Sequence, residues 1–436
     1  MQTAIPPRTS LAERTRRRVN RRLMPFLFVL YIVAYLDRVN VGFAGLRMSR
    51  ELGFSDAVFG FGGGIFFLGY FLLEIPGTVL VEIWSARKWI CRIMVTWGFL
   101  ASATGWIHSA HQFYWIRFFL GVAEAGFFPG LVVYLSHWYR QEDRGRAVAM
   151  FMAAIPASQV VGAPLAAALL RVHWLGYDGW RWLLTLEGVP AVVLGVITLF
   201  YLTDQPQQAR WLPAEERDWL VAELERERSA RAGHTSAWQA LRNPDVLLLA
   251  AILLLGLTPN YGLSLWLPQM VQRLSAFGVS QVSLIAAIPY LASLPLMLLT
   301  GWHSDRTRER RWHTAVPRLL SGVALTACFF TTGHICISVL MLSLATVGFY
   351  CAHPGFWPLP NLFLGRAAAA ASIGLINSFG NLGGFLGPYA IGWLSSGTGG
   401  FGPGLLLMAA CACGSALLVF RLRIPQATVD RPPRLE

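Results

Sequence analysis

Polar and apolar positions in this chain come in long blocks rather than in alternation. From residue 24 onward, apolar stretches are separated by polar breaks, and twelve can be counted: 24–46, 57–81, 89–108, 112–138, 146–170, 181–203, 244–270, 281–302, 314–332, 335–363, 367–394 and 401–422. Runs of about 20 apolar residues cross some 30 Å of hydrocarbon as α-helices, so the pattern predicts an all-α integral membrane protein. One break is much longer than the rest. In 204–243, Pro213 precedes "AEERDWLVAELERER", which reads as a surface helix with proline at its start and charge pairs four apart. The chain thus divides into a basic terminus (1–23), a six-helix bundle (24–203), a linker with an amphipathic helix (204–243), a second six-helix bundle (244–422) and a tail (423–436).

Twelve spans around a central polar block invite a search for duplication. The break after span two, "GTVLVEIWSARKW", and the break after span eight, "TGWHSDRTRERRW", align with Glu82 on Asp305, 223 residues apart. The same offset puts Lys88 on Arg311 and Trp89 on Trp312, while Pro164 and Pro388 are 224 apart. Several pairs at nearly one offset predict two pseudo-symmetric six-helix bundles in parallel orientation.

Composition agrees: 55% of residues are apolar and 14% charged, against about 25% charged in soluble domains. The net charge of +13 raises the question of nucleic acid, but charge placement answers it otherwise. With both termini on the cytoplasmic side, the inner segments hold 29 of the 36 Lys/Arg, the outer loops five, and the spans Arg38 and Arg117. That bias is the one membrane proteins carry, and no nucleic-acid partner is needed to explain the charge. The basic terminus lacks a small-residue cleavage site after a short apolar region, so no removable signal peptide is expected. The six cysteines show no C-x-x-C or Cys/His zinc spacing, and no metal or cofactor is expected. No nucleophile elbow, H-E-x-x-H or phosphate-binding glycine loop is present, so an enzyme is not expected.

Charges inside spans are few and cluster in the first bundle: Asp37 and Arg38 in "YLDRVNVGFA", Glu74 in span two, Arg117 and Glu124 in span four; spans seven to twelve have almost none away from their ends. A charge at bilayer depth costs about 2.5–3.5 kcal/mol on insertion scales and is a functional candidate by default. Asp37 and Arg38 are consecutive, so they diverge by about 100° around a helix and each needs a partner elsewhere. Arg117 and Glu124, seven apart, share a face, which suggests Asp37 near Arg117 and Arg38 near Glu124. The alternative is an ion-pair lattice that only holds the bundle together, a weak use of buried charge. The second bundle offers neutral hydrogen-bonding groups instead: Asn260, Tyr261, Trp357, Asn377 and Asn381. Gln159 and Asn260 enter as candidates on polarity and depth. Glu74, before Ile-Pro-Gly, reads either as a third titrating acid or as a gating residue at a helix break. His353, in "CAHPGFWPLP", reads as a structural histidine. In the loops, Glu82, Asp305 and Arg306 are expected to make contacts between the bundles that gate the conformational cycle.

"GWHSDRTRER" resembles the G-x-x-x-D-R loop signature of the major facilitator superfamily; the first copy departs from it, with Thr78, Glu82 and Ser85 at its glycine, aspartate and second-glycine positions. Within that superfamily "YLDRVNVGFA", "GYFLLEIPG", "FFLGVAEAGFFPG", "WRWLLTLEGVPAV" and "NYGLSLWLPQ" together resemble the anion:cation symporter family. The resemblance implies proton-coupled import of a small organic carboxylate by alternating access. Asp37 and Glu124 would carry protons, beside Arg117. Arg38 would hold the anion, and Tyr70, Trp357 and Asn377 would lie around the solute with Gln159, Asn260 and Tyr261. It leans toward bacterial permeases for tartrate-like, sugar-acid or aromatic-acid solutes, monomeric in the inner membrane. Sodium coupling and anion exchange stay open. A proton-driven drug exporter is disfavoured because span five reads "GAPLAA" where exporters carry G-P-x-x-G-G. A non-transporting nutrient sensor is the remaining class, though the linker is too short for a signalling domain.

Overall fold

The computed structural model describes residues 10–229, 242–331, 333–360 and 366–422. The first half comprises α1 (Leu11–Glu51), α2 (Asp56–Ile83), α3 (Ala86–Thr104), α4 (Ala110–Glu124), α5 (Phe127–Ser136), α6 (Gln141–Met152), α7 (Ala154–Leu169) and α8 (Gly179–Tyr201). The linker carries α9 (Ala214–Ser229). The second half comprises α10 (Pro244–Arg273), α11 (Val279–Thr307), α12 (Arg311–Phe330), α13 (Ile335–Phe356), α14 (Arg366–Asn381), α15 (Gly383–Thr398) and α16 (Gly402–Arg421). Serine side chains cap four of the starts: Ser10, Ser55, Ser85 and Ser109 each accept from a backbone N–H three residues on, satisfying donors the helix cannot pair itself.

Among the described residues nine helical stretches are long and apolar enough to span a membrane alone. The other three spans are α3, with Arg87, Lys88 and Arg92 in its opening turns, α12, with Arg311 and Arg318, and the α14–α15 pair. Spans four, five and eleven are each two helices. Gly126, at φ 83°, breaks span four directly after Glu124 and Ala125, a conformation that glycine adopts without the Cβ penalty. Helix α1 begins at Leu11, well before the apolar run, and its 41 residues rise about 60 Å. Its basic first turns are tied down by Arg16–Asp143 and Arg18–Glu216 ion pairs, both 3.0 Å.

The twelve spans form two six-helix bundles with the same neighbour pattern. In the first, α1 packs on α7 and α8, α2 on α4, and α3 on α8 and α4. In the second, α10 packs on α15 and α16, α11 on α13, and α12 on α16 and α13. The predicted duplication is therefore a structural one. The bundles meet through α1 with α10, α2 with α15, and α7 with α11. Large apolar side chains such as Phe200, Phe330 and Trp393 face outward, as a lipid-solvated surface requires.

The bundles are joined firmly at the end away from the chain termini. Arg273 of α10 pairs with Asp56 of α2 at 2.6 Å, and Ser395 of α15 donates to the same carboxylate at 2.5 Å. The Ala57 N–H donates to Ser396, Gln269 donates to the Gly42 carbonyl, and Arg171 donates to Ser280. A Cβ on Gly42 would sit 2.8 Å from the Leu265 carbonyl oxygen, so the α1–α10 crossing needs glycine there.

Candidate functional site

The first bundle's charges converge because glycines let its helices touch backbone to backbone. Gly121 of α4 lies against the Phe66 carbonyl of α2, which brings Glu124, at the last turn of α4, up to α1. There Arg38 Nη2 meets Glu124 Oε1 at 2.5 Å. Both groups are enclosed, with the Glu124 side chain fully buried and that of Arg38 11% exposed. Aromatic rings surround the guanidinium: Tyr35 at 4.9 Å, Tyr70 at 5.1 Å and Phe66 at 5.4 Å from its Cζ. Such ring faces favour a cation while leaving the guanidinium N–H groups in its plane for an anion.

Asp37 turns the other way, as consecutive helical residues must. Its carboxylate accepts from the Trp97 indole of α3 at 2.9 Å. Arg117 is the foremost cation in its electrostatic surroundings yet forms no ion pair with it; Arg117 rests over Phe66 at 4.9 Å with Nε and Nη1 lacking hydrogen-bond partners. Asp37 thus lies near Arg117 as expected, but its direct bond goes to Trp97 because α3 supplies a donor closer to Asp37 than α4 does.

The second bundle closes the site from the other side. Tyr261 of α10 packs against Phe67 at 4.4 Å and lies in electrostatic reach of Arg38 and Tyr35. Asn260, beside it, is half-buried. Gln159 of α7 is buried and lies close to Tyr350 of α13, across the bundle boundary. Trp357, at the end of α13, is half-buried with its indole nitrogen unpartnered. Asn377 of α14 is already engaged: its Nδ2 donates to Glu74 Oε1 at 2.5 Å, and Asn381 donates to Glu74 Oε2 at 3.5 Å. His353 bonds the Phe349 carbonyl of its own helix at 2.7 Å.

The gating loops look different from the expectation. Asp305 pairs with Arg310 at 2.7 Å, and Arg306 stacks over Trp302 at 5.4 Å. Both contacts lie inside the second bundle, where expectation put contacts between bundles. The short α11–α12 connection folds back on itself, Ser304 donating to the Glu309 carbonyl at 2.8 Å, and so offers nearer partners. The side chain of Glu82 lies outside the described residues.

Several polar groups escaped sequence reasoning. Glu187 of α8 is buried with both carboxylate oxygens lacking hydrogen-bond donors, and Asp37 is its electrostatic neighbour. It stands in the quoted "WRWLLTLEGVPAV", where its being an acid within a span was signal enough. Asn40, fully buried on α1, also has an unpartnered side chain. Trp97 carried no signal, since nothing in the sequence separates it from the other 16 tryptophans. Arg318, assigned to the inner-loop charge, is instead buried in α12, bonded to the Ile252 carbonyl at 2.7 Å and to Ser415.

The sequence pattern described as Major Facilitator Superfamily matches residues 27–388. Over 421 residues the chain is 44% identical to an Agrobacterium vitis protein named "Putative tartrate transporter", covering 95% of this chain and 96% of that one. It is 37% identical over 410 residues to an Acinetobacter baumannii protein named "Quinolone resistance transporter", covering 93% and 94%. A solved structure of a bacterial homolog of the human lysosomal transporter Spinster, inward-facing and unoccupied, superposes with a TM-score of 0.70. At 16% identity, with 93% of this chain and 95% of that chain covered, the likeness is one of fold.

Proposed function

The chain belongs to the Major Facilitator Superfamily, and from that premise we propose that it imports a small organic carboxylate together with protons, by alternating access between its two bundles. The observation that carries this reading is the Arg38–Glu124 pair at 2.5 Å inside an aromatic enclosure. Arginine is a planar, permanently charged receptor for carboxylates, and here an internal acid occupies it. A solute carboxylate that takes Arg38 strips Glu124 of its counter-charge, and an uncompensated buried carboxylate is neutralised by a proton. Substrate arrival and proton uptake are thereby linked. Asp37 is the second proton carrier, oriented by Trp97 and facing Arg117. Tyr70, Gln159, Asn260, Tyr261, Trp357 and Asn377 shape the remainder of the solute site. The name of the Agrobacterium relative supports a hydroxy-dicarboxylate such as tartrate. The Lys/Arg bias supports cytoplasmic termini, in the inner membrane of a bacterium, with a monomer as the working unit. The protein is a transporter rather than an enzyme.

The test is uptake of labelled L-tartrate by purified protein in proteoliposomes under an imposed pH gradient. Asp37→Asn and Glu124→Gln are expected to abolish gradient-driven accumulation, and Arg38→Ala to abolish binding. Normal accumulation by both acid variants overturns the proton assignment. Replacing the proton gradient by a sodium gradient or an internal anion separates sodium coupling and exchange. A second reading, proton-driven export of drugs, is favoured by the name of the Acinetobacter relative. Fluoroquinolone efflux from loaded vesicles, with no tartrate uptake, would establish it.

A further inference from the structure

Glu74 has no part in that cycle, yet it makes a two-donor contact between the bundles. Asn377 and Asn381 are four apart on α14, so their amides project from one face. Asn377 takes Oε1 of Glu74 and Asn381 takes Oε2. Two N–H donors on the two oxygens of one carboxylate make a carboxylate receptor, and its occupant comes from the opposite bundle. Arg38 is in the same condition, being occupied by Glu124. The site therefore holds two carboxylate receptors, one in each bundle, and an internal acid fills each of them.

We propose that Glu74 is a stand-in for the second carboxylate of the solute, released from Asn377 and Asn381 when a dicarboxylate binds. This deepens the reading given above and rests on it. A solute with one carboxylate at Arg38 and another at the α14 amides must displace both internal acids. Glu74 then takes up a proton, for the same reason as Glu124: a buried carboxylate that loses two amide donors is costlier to keep charged. Release also cuts a tie between α2 and α14, so solute binding in the second bundle frees the helices to move. Arg38 and Tyr70 lie in electrostatic reach of Glu74. Among elements packed on α2, α4 brings Arg117 and Glu124, both arrayed around Arg38. The ionisable side chains of α5 and α15 are engaged elsewhere, Tyr134 on the Thr203 carbonyl and Tyr389 against Phe385.

The experiment compares L-tartrate with D-glycerate, a hydroxy acid with one carboxylate, by calorimetric titration of the purified full chain between pH 5.5 and 8. Glu74→Gln is the main variant and Asn377→Ala the second. A proton taken up with each solute changes affinity about tenfold per pH unit. Glu74→Gln is expected to reduce the pH dependence of tartrate binding by about that factor per unit and to leave glycerate binding unaltered. An unchanged tartrate pH dependence, or equal effects on both acids, overturns the proposal. A solute-free arm keeps its failure distinct from that of the transport reading. The distance between spin labels on α2 and α14 is expected to lengthen on acidification in the wild type. In Asn377→Ala it should be long at every pH. If neither acidification nor Asn377→Ala alters the distance, the proposal fails whatever the vesicles transport.

Discussion

Arg38 shows how much a single side chain's shape matters in this enclosure. Lysine would keep the charge but lose the planar fork that meets a carboxylate and lies among Tyr35, Tyr70 and Phe66. Arg38→Lys is therefore expected to weaken tartrate binding at least about tenfold, or ~1.4 kcal/mol, as read by calorimetric titration. Trp97 makes a complementary case. Its indole donates to Asp37 at 2.9 Å in a buried setting, and Trp97→Phe leaves that carboxylate without the donor. The loss of such a partner costs about 1–3 kcal/mol, so thermal unfolding should shift down. Adding Asp37→Asn to Trp97→Phe should recover part of the loss, since the amide carries no charge to leave unsatisfied. Which donor reaches Asp37 was not legible in the sequence: adjacency on α1 shows that Asp37 and Arg38 part company, but not which helix each then meets.

At the scale of elements, the α3–α8 contact holds Trp97 and Glu187 in place. Gly98 and Gly188 sit beside them in sequence and touch across the crossing; a Cβ on Gly98 would stand 2.6 Å from the Gly188 carbonyl oxygen. Gly188→Val has the Gly98 carbonyl and the Ser102 backbone N–H to push against as well as the Ser102 hydroxyl, and overpacking of this kind costs about 1–3 kcal/mol. A lowered melting temperature in detergent checks it. The α11–α12 connection is stabilised differently. Burial alone would push the Glu309 carboxyl up, but the N–H groups of Trp312 and His313 and the His313 ring outweigh it and hold the group below the usual carboxylate range. A lowered value means its stabilisation is present above the range where the unfolded carboxyl titrates and is lost as pH falls through the folded value. Glu309→Gln should thus unfold at lower temperature than wild type at neutral pH, with the gap closing in acid.

Across the whole molecule, the balance between states depends on the seal at the end away from the termini. The Arg273–Asp56 pair that contributes to it is partly exposed, and such pairs are worth about 0–1 kcal/mol. Asp56→Asn is therefore expected to change the ratio of sealed to open molecules by no more than about fivefold. Accessibility of an introduced cysteine on α15 to a membrane-impermeant thiol reagent reports it. Gln269 and Gly42 should keep the crossing closed in most molecules.

The sequence by itself determined the twelve spans, through apolar runs of membrane length, and their grouping into two related bundles, through pairs of residues at nearly one repeated offset. It also showed five of the charges at bilayer depth, Asp37, Arg38, Glu74, Arg117 and Glu124, though not Glu187 or Arg318. Those are properties of the chain read locally or at a fixed spacing. The partners of those charges were decided only by tertiary structure. Asn377, expected to face a solute, holds Glu74; Asp37 meets Trp97; Asp305 stays within its own bundle. Hydrogen-bond partners depend on where glycine contacts let helices cross and on which side chain then comes nearest, and neither is written in the order of residues along one helix.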